Sequence, residues 1–178
     1  MAFNWLDIVL AAIMLAALIV GLIKGFVREL VGLFVIIAGI FVAGRFYGPL
    51  GGFVGKFIKN PAAANFIGFL LIFLVVLIVG GFIAGIISRA TKRGLGFVNN
   101  VLGGVIGALE GILIAGAVIF AMLAFPVNKD ALNGSKLAPF VYGATKTVIQ
   151  IVPQELKDQI KTAYENIAKG KTDNGPTI

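Results

Sequence analysis

The sequence predicts an all-α integral membrane protein, with four transmembrane helices followed by amphipathic C-terminal helices. Three observations lead there. Hydrophobic residues make up 59% of the 178-residue chain and charged residues only 13%, whereas soluble domains carry about 25% charged residues. The charges fall in clusters, and the apolar runs between them have the length that a hydrocarbon layer about 30 Å thick requires. Beyond Pro126 the chain turns polar and its apolar residues adopt helical spacing. Residues 1–126 therefore read as a membrane region with spans at about 5–23, 30–47, 62–88 and 101–125. Residues 127–170 read as amphipathic helices and residues 171–178 as a flexible tail.

The first span begins at Trp5, which suits the membrane interface, and carries Asp7 near its start. A signal peptide would need a basic segment ahead of the apolar run and a small-residue cleavage site after it; Asp7 stands ahead instead, so the span is expected to be retained. Lys24, Arg28 and Glu29 interrupt the apolar run, and Gly25 allows a tight reversal. The second span then reads as the other arm of a helical hairpin whose turn is Lys24, Gly25, Arg28 and Glu29. It is short, because Arg45 follows closely unless that side chain snorkels to the headgroups.

Between spans two and three, Phe53 and Phe57 stand at i, i+4 beside Val54 and Ile58, a pattern for a short interfacial helix. The glycines at 48, 51, 52 and 55 fit an ordinary loop equally well. The third span, charge-free from Ala62 to Ser88, is followed by Arg89, Lys92 and Arg93. The fourth ends before Pro126 and carries Glu110 in its interior. In the C-terminal part, Phe140, Ala144, Val148 and Ile151 fall on one helical stripe with Val141 and Val152 beside it, and Leu156, Ile160, Tyr164 and Ile167 fall on another, with Pro153 between the two.

The chain has neither cysteine nor histidine. That removes disulfide partners, thiolate nucleophiles, Cys/His metal sites and Ser-His-Asp catalysis, so no catalytic residue, metal ligand or cofactor is assigned. The net charge of +7 comes from basic residues scattered among turns without an aromatic platform. This fits lipid headgroups as partners and argues against nucleic acid.

Two kinds of residue stand out within the spans. Gly103, Gly107 and Gly111 lie four apart on one face, and Gly81 with Gly85 repeats the spacing in the third span. Such faces let helices approach closely in lipid, where water supplies no driving force for association. Glu110 flanks the first of these faces. A charge at mid-membrane costs about 2.5 to 3.5 kcal/mol or more, so an acid there is either a proton- or cation-responsive group inside the bundle, or a helix–helix hydrogen-bonding group, or nearer the interface than the span suggests. Asp7 and the Lys24–Glu29 turn lie at opposite ends of the first span. Asp7 is therefore expected to cap the helix start or to meet a basic group of a neighbouring helix, and Arg28 and Glu29 to hold a solvated turn or contact lipid phosphate.

Taken in order, these motifs resemble the CvpA family, the colicin V production proteins of bacterial inner membranes. The resemblance begins with Asn4-Trp5-Leu6-Asp7-Ile8 and continues through Gly21-Leu22-Ile23-Lys24-Gly25-Phe26-Val27-Arg28-Glu29-Leu30. It resumes at Gly94-Leu95-Gly96-Phe97, Leu102-Gly103, Gly107 and Gly111, and ends with Ser135-Lys136-Leu137-Ala138-Pro139. Two positions depart from the family pattern. Members often have an acidic then a basic residue where this chain has Asn99 and Asn100, and many have a basic residue where it has Glu110.

The resemblance implies four membrane helices, no known catalytic activity, and a role in toxin production or export and envelope homeostasis. The expected function is thus a non-enzymatic inner-membrane protein that packs with a membrane-protein partner or as a homo-oligomer. A small oligomeric channel or transporter with Glu110 near its pathway is the alternative. Lys24, Arg28, Arg89, Lys92 and Arg93 lie on one side of the membrane, and Arg45, Lys56, Lys59, Lys129 and Lys136 on the other. The count alone does not orient the chain. Compactness of the two basic turns places them in the cytoplasm and both termini on the opposite side.

Overall fold

A computed structural model of the chain describes residues 4–90, 96–125 and 127–145. Among these residues there are six helices and no strand: α1 (Trp5–Lys24), α2 (Phe26–Val54), α3 (Pro61–Ala90), α4 (Gly96–Ala124), α5 (Lys129–Gly134) and α6 (Leu137–Thr145). The first four are long and apolar enough to cross a membrane. At 1.5 Å per residue, α2, α3 and α4 are each roughly 44 Å long, so they must tilt or run into the headgroup layer.

Local chemistry sets the helix ends. Asn4 and Asp7 form a capping box: the Asn4 side chain accepts from the Asp7 N–H at 3.0 Å, and the Asp7 carboxylate accepts from the Asn4 N–H at 3.0 Å. This satisfies N–H groups that the first helical turn leaves without partners. Only Gly25 separates α1 from α2, at φ 81 and ψ 166, a backbone conformation that glycine adopts without steric cost. Asn60 Oδ1 accepts from Ala62 and Ala63 at 2.9 and 3.2 Å, and Pro61 opens α3 at the position where its missing N–H costs nothing. Asn128 caps α5 in the same manner, accepting from Ala131.

α2 extends well beyond the span of 30–47 read from sequence. It runs through Pro49 and Gly51 to Val54, so this part of the candidate interfacial segment is the last turns of a membrane helix. Neither charge nor proline stops it, because α3 packs along it. A methyl group at Gly68 would lie 2.8 Å from Gly51 N and 2.9 Å from Tyr47 O, which shows how closely the two backbones approach.

The expected α1–α2 hairpin is not formed. The two helices meet at Gly25 and then diverge; α1 packs chiefly on α4, and α2 chiefly on α3. α4 is wedged between α1 and α2 and is the most buried of the four. The core runs through Leu6, Leu10, Ile36, Ile40, Phe69, Phe73 and the consecutive residues Ile119–Phe125 of α4 and the turn that follows it. Large apolar side chains including Ile8, Phe34, Leu74, Phe82 and Ile86 face outward, as a lipid-facing surface requires.

α6 lies against α4 and α1. Its buried residues are Ala138, Val141 and Thr145, while Phe140 and Ala144 are exposed, so over the described residues the inward stripe is offset from the one read in the sequence. The reason is packing with α4. Thr145 fills the space beside Gly116, and Tyr142 meets the Phe120 ring edge-on at 5.8 Å. The second amphipathic stripe at 156–167, the tail and the Lys92–Arg93 turn lie outside the described residues.

Candidate functional site

Two acidic centres sit at different depths of the bundle. The first is Asp7, which has no exposed surface. Besides its capping contact, its Oδ1 accepts from Ser135 Oγ at 2.6 Å and from the N–H groups of Lys136 and Leu137 at 2.9 Å each. Ser135 Oγ in turn accepts from the Ala138 N–H at 2.9 Å, and Asn4 Nδ2 donates to Ala131 O at 2.6 Å. The start of α1 is thereby fastened to α5 and to the first turn of α6. Of the two partners expected for Asp7, the helix cap is present. Its long-range partners are a serine hydroxyl and backbone amides, rather than a basic side chain.

The second centre joins α2 and α4. Glu29 and Glu110 are 2% and 8% exposed, and their carboxyl groups come within hydrogen-bonding reach of one another. Lys24 Nζ lies 3.8 Å from Glu29 Oε1. Neither Glu29 Oε1 nor Glu110 Oε1 has a hydrogen-bond partner among the described residues. Glu29 belongs to the first turn of α2, whose helix dipole favours an acid. It points into the bundle instead of forming a solvated turn. Glu110 reaches it across Gly32, where an added methyl group would lie 2.5 Å from Glu110 Oε1. Adjacent Gly111 packs on Met14, midway along α1, and the Glu110 side chain faces the bundle interior toward the first turns of α2.

The α1–α4 seam beside this centre is made by glycine. Gly103 abuts the backbone of Gly21 and Gly25; a methyl at Gly107 would lie 2.5 Å from Ala17 O and 2.9 Å from Gly21 Cα; one at Gly111 would lie 2.8 Å from Met14 Cα. At the Gly25 corner of the same seam, Asn99 Oδ1 accepts from the Phe26 N–H at 3.2 Å and caps α2 from another helix. The third-span glycines behave differently. Gly81 has nothing within 4 Å, Gly85 lies beside the Arg28 guanidinium, and it is Gly80 that packs tightly, on Val35.

Sequence reasoning singles out Asp7, Glu29, Glu110 and the α4 glycines, but assigns no contact to Asn4, Asn99 or Ser135, which it meets only in the family motifs, and passes over Gly32. Asn4 was the most legible of these, since Asn-x-x-Asp ahead of an apolar run is a capping pattern. No local signal ties Ser135 to Asp7, or Gly32 to Glu110.

Four apolar spanning helices, a lipid-facing exterior and buried acids tied to neighbouring helices define a multi-pass α-helical membrane protein. The sequence profile of the colicin V production proteins matches residues 6–146, from the first turn of α1 into the residue after α6. The chain is 34% identical over 133 residues to the colicin V production protein of Escherichia coli (strain K12), covering 74% of this chain and 82% of that one. It is 32% identical over 121 residues to the colicin V production protein homolog of Haemophilus influenzae (strain ATCC 51907 / DSM 11121 / KW20 / Rd), covering 67% and 74%. The chain belongs to the colicin V production protein family, which is not a known enzyme class. No solved structure matches it.

Proposed function

We propose that the protein is a non-enzymatic component of the bacterial inner membrane that supports toxin production or export and envelope homeostasis, working by helix packing with a partner or with a second copy of itself. The family match carries this reading, because it takes in every membrane helix together with α5 and α6. In the same reading the Lys24–Glu29 corner faces the cytoplasm and both termini lie on the opposite side, and the partners are lipid and membrane protein.

The glycines divide the test. Gly103, Gly107 and Gly111 are occupied within the chain, whereas Gly81 lies on the open outer surface of α3. Gly107→Leu is expected to disturb assembly of the bundle itself. Gly81→Leu is expected to leave the bundle intact while reducing crosslinking to a partner or second copy in cells, together with colicin V output from a toxin-bearing strain. Unchanged crosslinks and toxin output in both variants would remove the packing reading.

The alternative, a small oligomeric channel or transporter, is favoured by one observation: Glu110 faces Glu29 inside the bundle rather than lipid. Ion flux through purified protein in liposomes tests it. Flux that is absent, or identical in Glu110→Gln and the parent chain across pH, rules it out.

A further inference from the structure

The four membrane helices form two tight pairs, α1 with α4 and α2 with α3. Apart from the Gly25 corner and minor contacts, the pairs are joined by α2 against α4. Toward one end this joint is apolar, with the Tyr47 and Phe125 rings 4.7 Å apart. Toward the other it is made by Glu29 with Glu110, and by Asn99, which accepts from the Phe26 N–H.

The charged groups around that end can be enumerated among the described residues. From α1 comes Lys24, 3.8 Å from Glu29 Oε1 and partly exposed. From α2 come Glu29 and Arg28, the latter directed at Gly85 of α3. Pro61–Ile87 of α3 contains no ionisable residue, and Glu110 is the only one in α4. The Arg28 guanidinium is turned to α3, so among the groups in direct contact two carboxylates meet one ammonium, an excess of one negative charge at a largely buried site. Two like charges in contact at low dielectric repel strongly, and each carries a desolvation cost of several kcal/mol. Adding one proton removes the repulsion and the desolvation cost of one carboxylate, and leaves the other beside the Lys24 ammonium.

The unpartnered oxygens indicate which positive charge fits. Each carboxyl has one buried oxygen without a donor, and the space at Gly32 brings Glu110 Oε1 against α2 rather than into lipid. A bare proton requires one donating and one accepting oxygen, while hard metal cations take six or more oxygen ligands, far beyond what two carboxyls supply.

We propose that Glu29 and Glu110 bind a single proton between them, as an O–H of one carboxyl donated to the carboxylate of the other, and that this proton holds the α2–α3 pair against the α1–α4 pair. Hydrogen bonds between a carboxylic acid and a carboxylate are short and about twice as strong as neutral ones. Release of the proton leaves two facing carboxylates, and α2 parts from α4 between its two anchored points, the Gly25 corner and the Tyr47–Phe125 contact. The inference rests on the membrane placement of the bundle and on neither functional reading above.

The full chain in lipid nanodiscs tests it directly, and the absence of native cysteine allows site-specific labelling. Infrared spectroscopy across a pH titration should show one protonated-carboxyl carbonyl band in the parent chain at neutral pH, lost on alkalinisation and lost in Glu29→Gln and in Glu110→Gln. Spin labels at Leu30→Cys and Leu109→Cys should report a longer α2–α4 distance above the titration midpoint. Labels at Ile19→Cys and Val105→Cys, within the α1–α4 pair, should report no change. The proposal is overturned if the parent chain shows no such band at neutral pH, if both Gln variants keep it, or if the α2–α4 distance is independent of pH. It is equally overturned if sodium at fixed pH displaces the band, which would assign the site to a metal cation.

Discussion

Asp7 and the Glu29–Glu110 pair are both buried acids at helix contacts, yet they are treated oppositely. Asp7 accepts four hydrogen bonds, from Asn4, Ser135, Lys136 and Leu137. Glu29 and Glu110 face each other with an unpartnered oxygen apiece. The difference follows from the backbone around them. Asp7 sits where three chain segments end, and chain ends supply free N–H groups. Glu110 projects from the middle of a continuous helix whose amides are already committed, and Glu29 Oε1, although in the first turn of α2, accepts from none of that turn's amides, so the donors left to the pair are side chains or a proton. A satisfied acid serves as a fixed fastener, whereas an unsatisfied pair can respond to its surroundings.

The largest effect is expected from Asp7→Ala, which leaves the Ser135 hydroxyl and three amides without their acceptor. Stability should fall by about 3 kcal/mol, measured by denaturant unfolding in detergent, with protease cleavage appearing between α4 and α6. Next is Gly32→Ala. Its methyl group must displace the Glu110 carboxyl and should cost about 2 kcal/mol, with a change in the alkaline pH dependence of unfolding that Asp7→Ala does not produce. Ser135→Ala removes one donor to Asp7 and the cap on the Ala138 N–H, and should cost about 1 kcal/mol in the same unfolding assay. The smallest effect belongs to Glu110→Gln. Its amide can donate to Glu29 in place of the shared proton, so stability at neutral pH should change by about 0.5 kcal/mol. Its alkaline stability should exceed that of the parent chain. A loss as large as that of Asp7→Ala would mean that Glu110 is a fixed structural acid, and the contrast between the two centres would fail.

Much of this was legible in the sequence. The four spans follow from charge spacing and bilayer thickness, and Gly103, Gly107 and Gly111 share a face by helical period alone. What that face touches is a tertiary matter. Adjacent spans were expected to pair, but α1 and α2 are joined by one residue whose geometry splays them, and α4, made later, fits between. Pro49 and the surrounding glycines resembled a boundary, since local propensity opposes a helix there; packing against α3 overrides it. Gly81 has the four-residue spacing to Gly85, yet Gly80 is the one that packs, and only contact distinguishes adjacent glycines pointing about 100° apart. Glu29 resembled a turn residue because nothing nearby in sequence shows that Glu110 comes to meet it.

The wedged position of α4 also bears on how the protein is made. α1 enters the bilayer first, yet the helix that covers Gly21 and Ala17 is synthesised last of the four. Until α4 arrives, the smooth side of α1 is open to lipid or to any passing helix with a small-residue face. α2 and α3, consecutive in synthesis, can meanwhile close on each other. Assembly is therefore ordered from the inside of the chain outward. A ribosome stalled before α4 would leave a membrane intermediate consisting of a finished α2–α3 hairpin and a solitary α1, tethered to it by a single glycine.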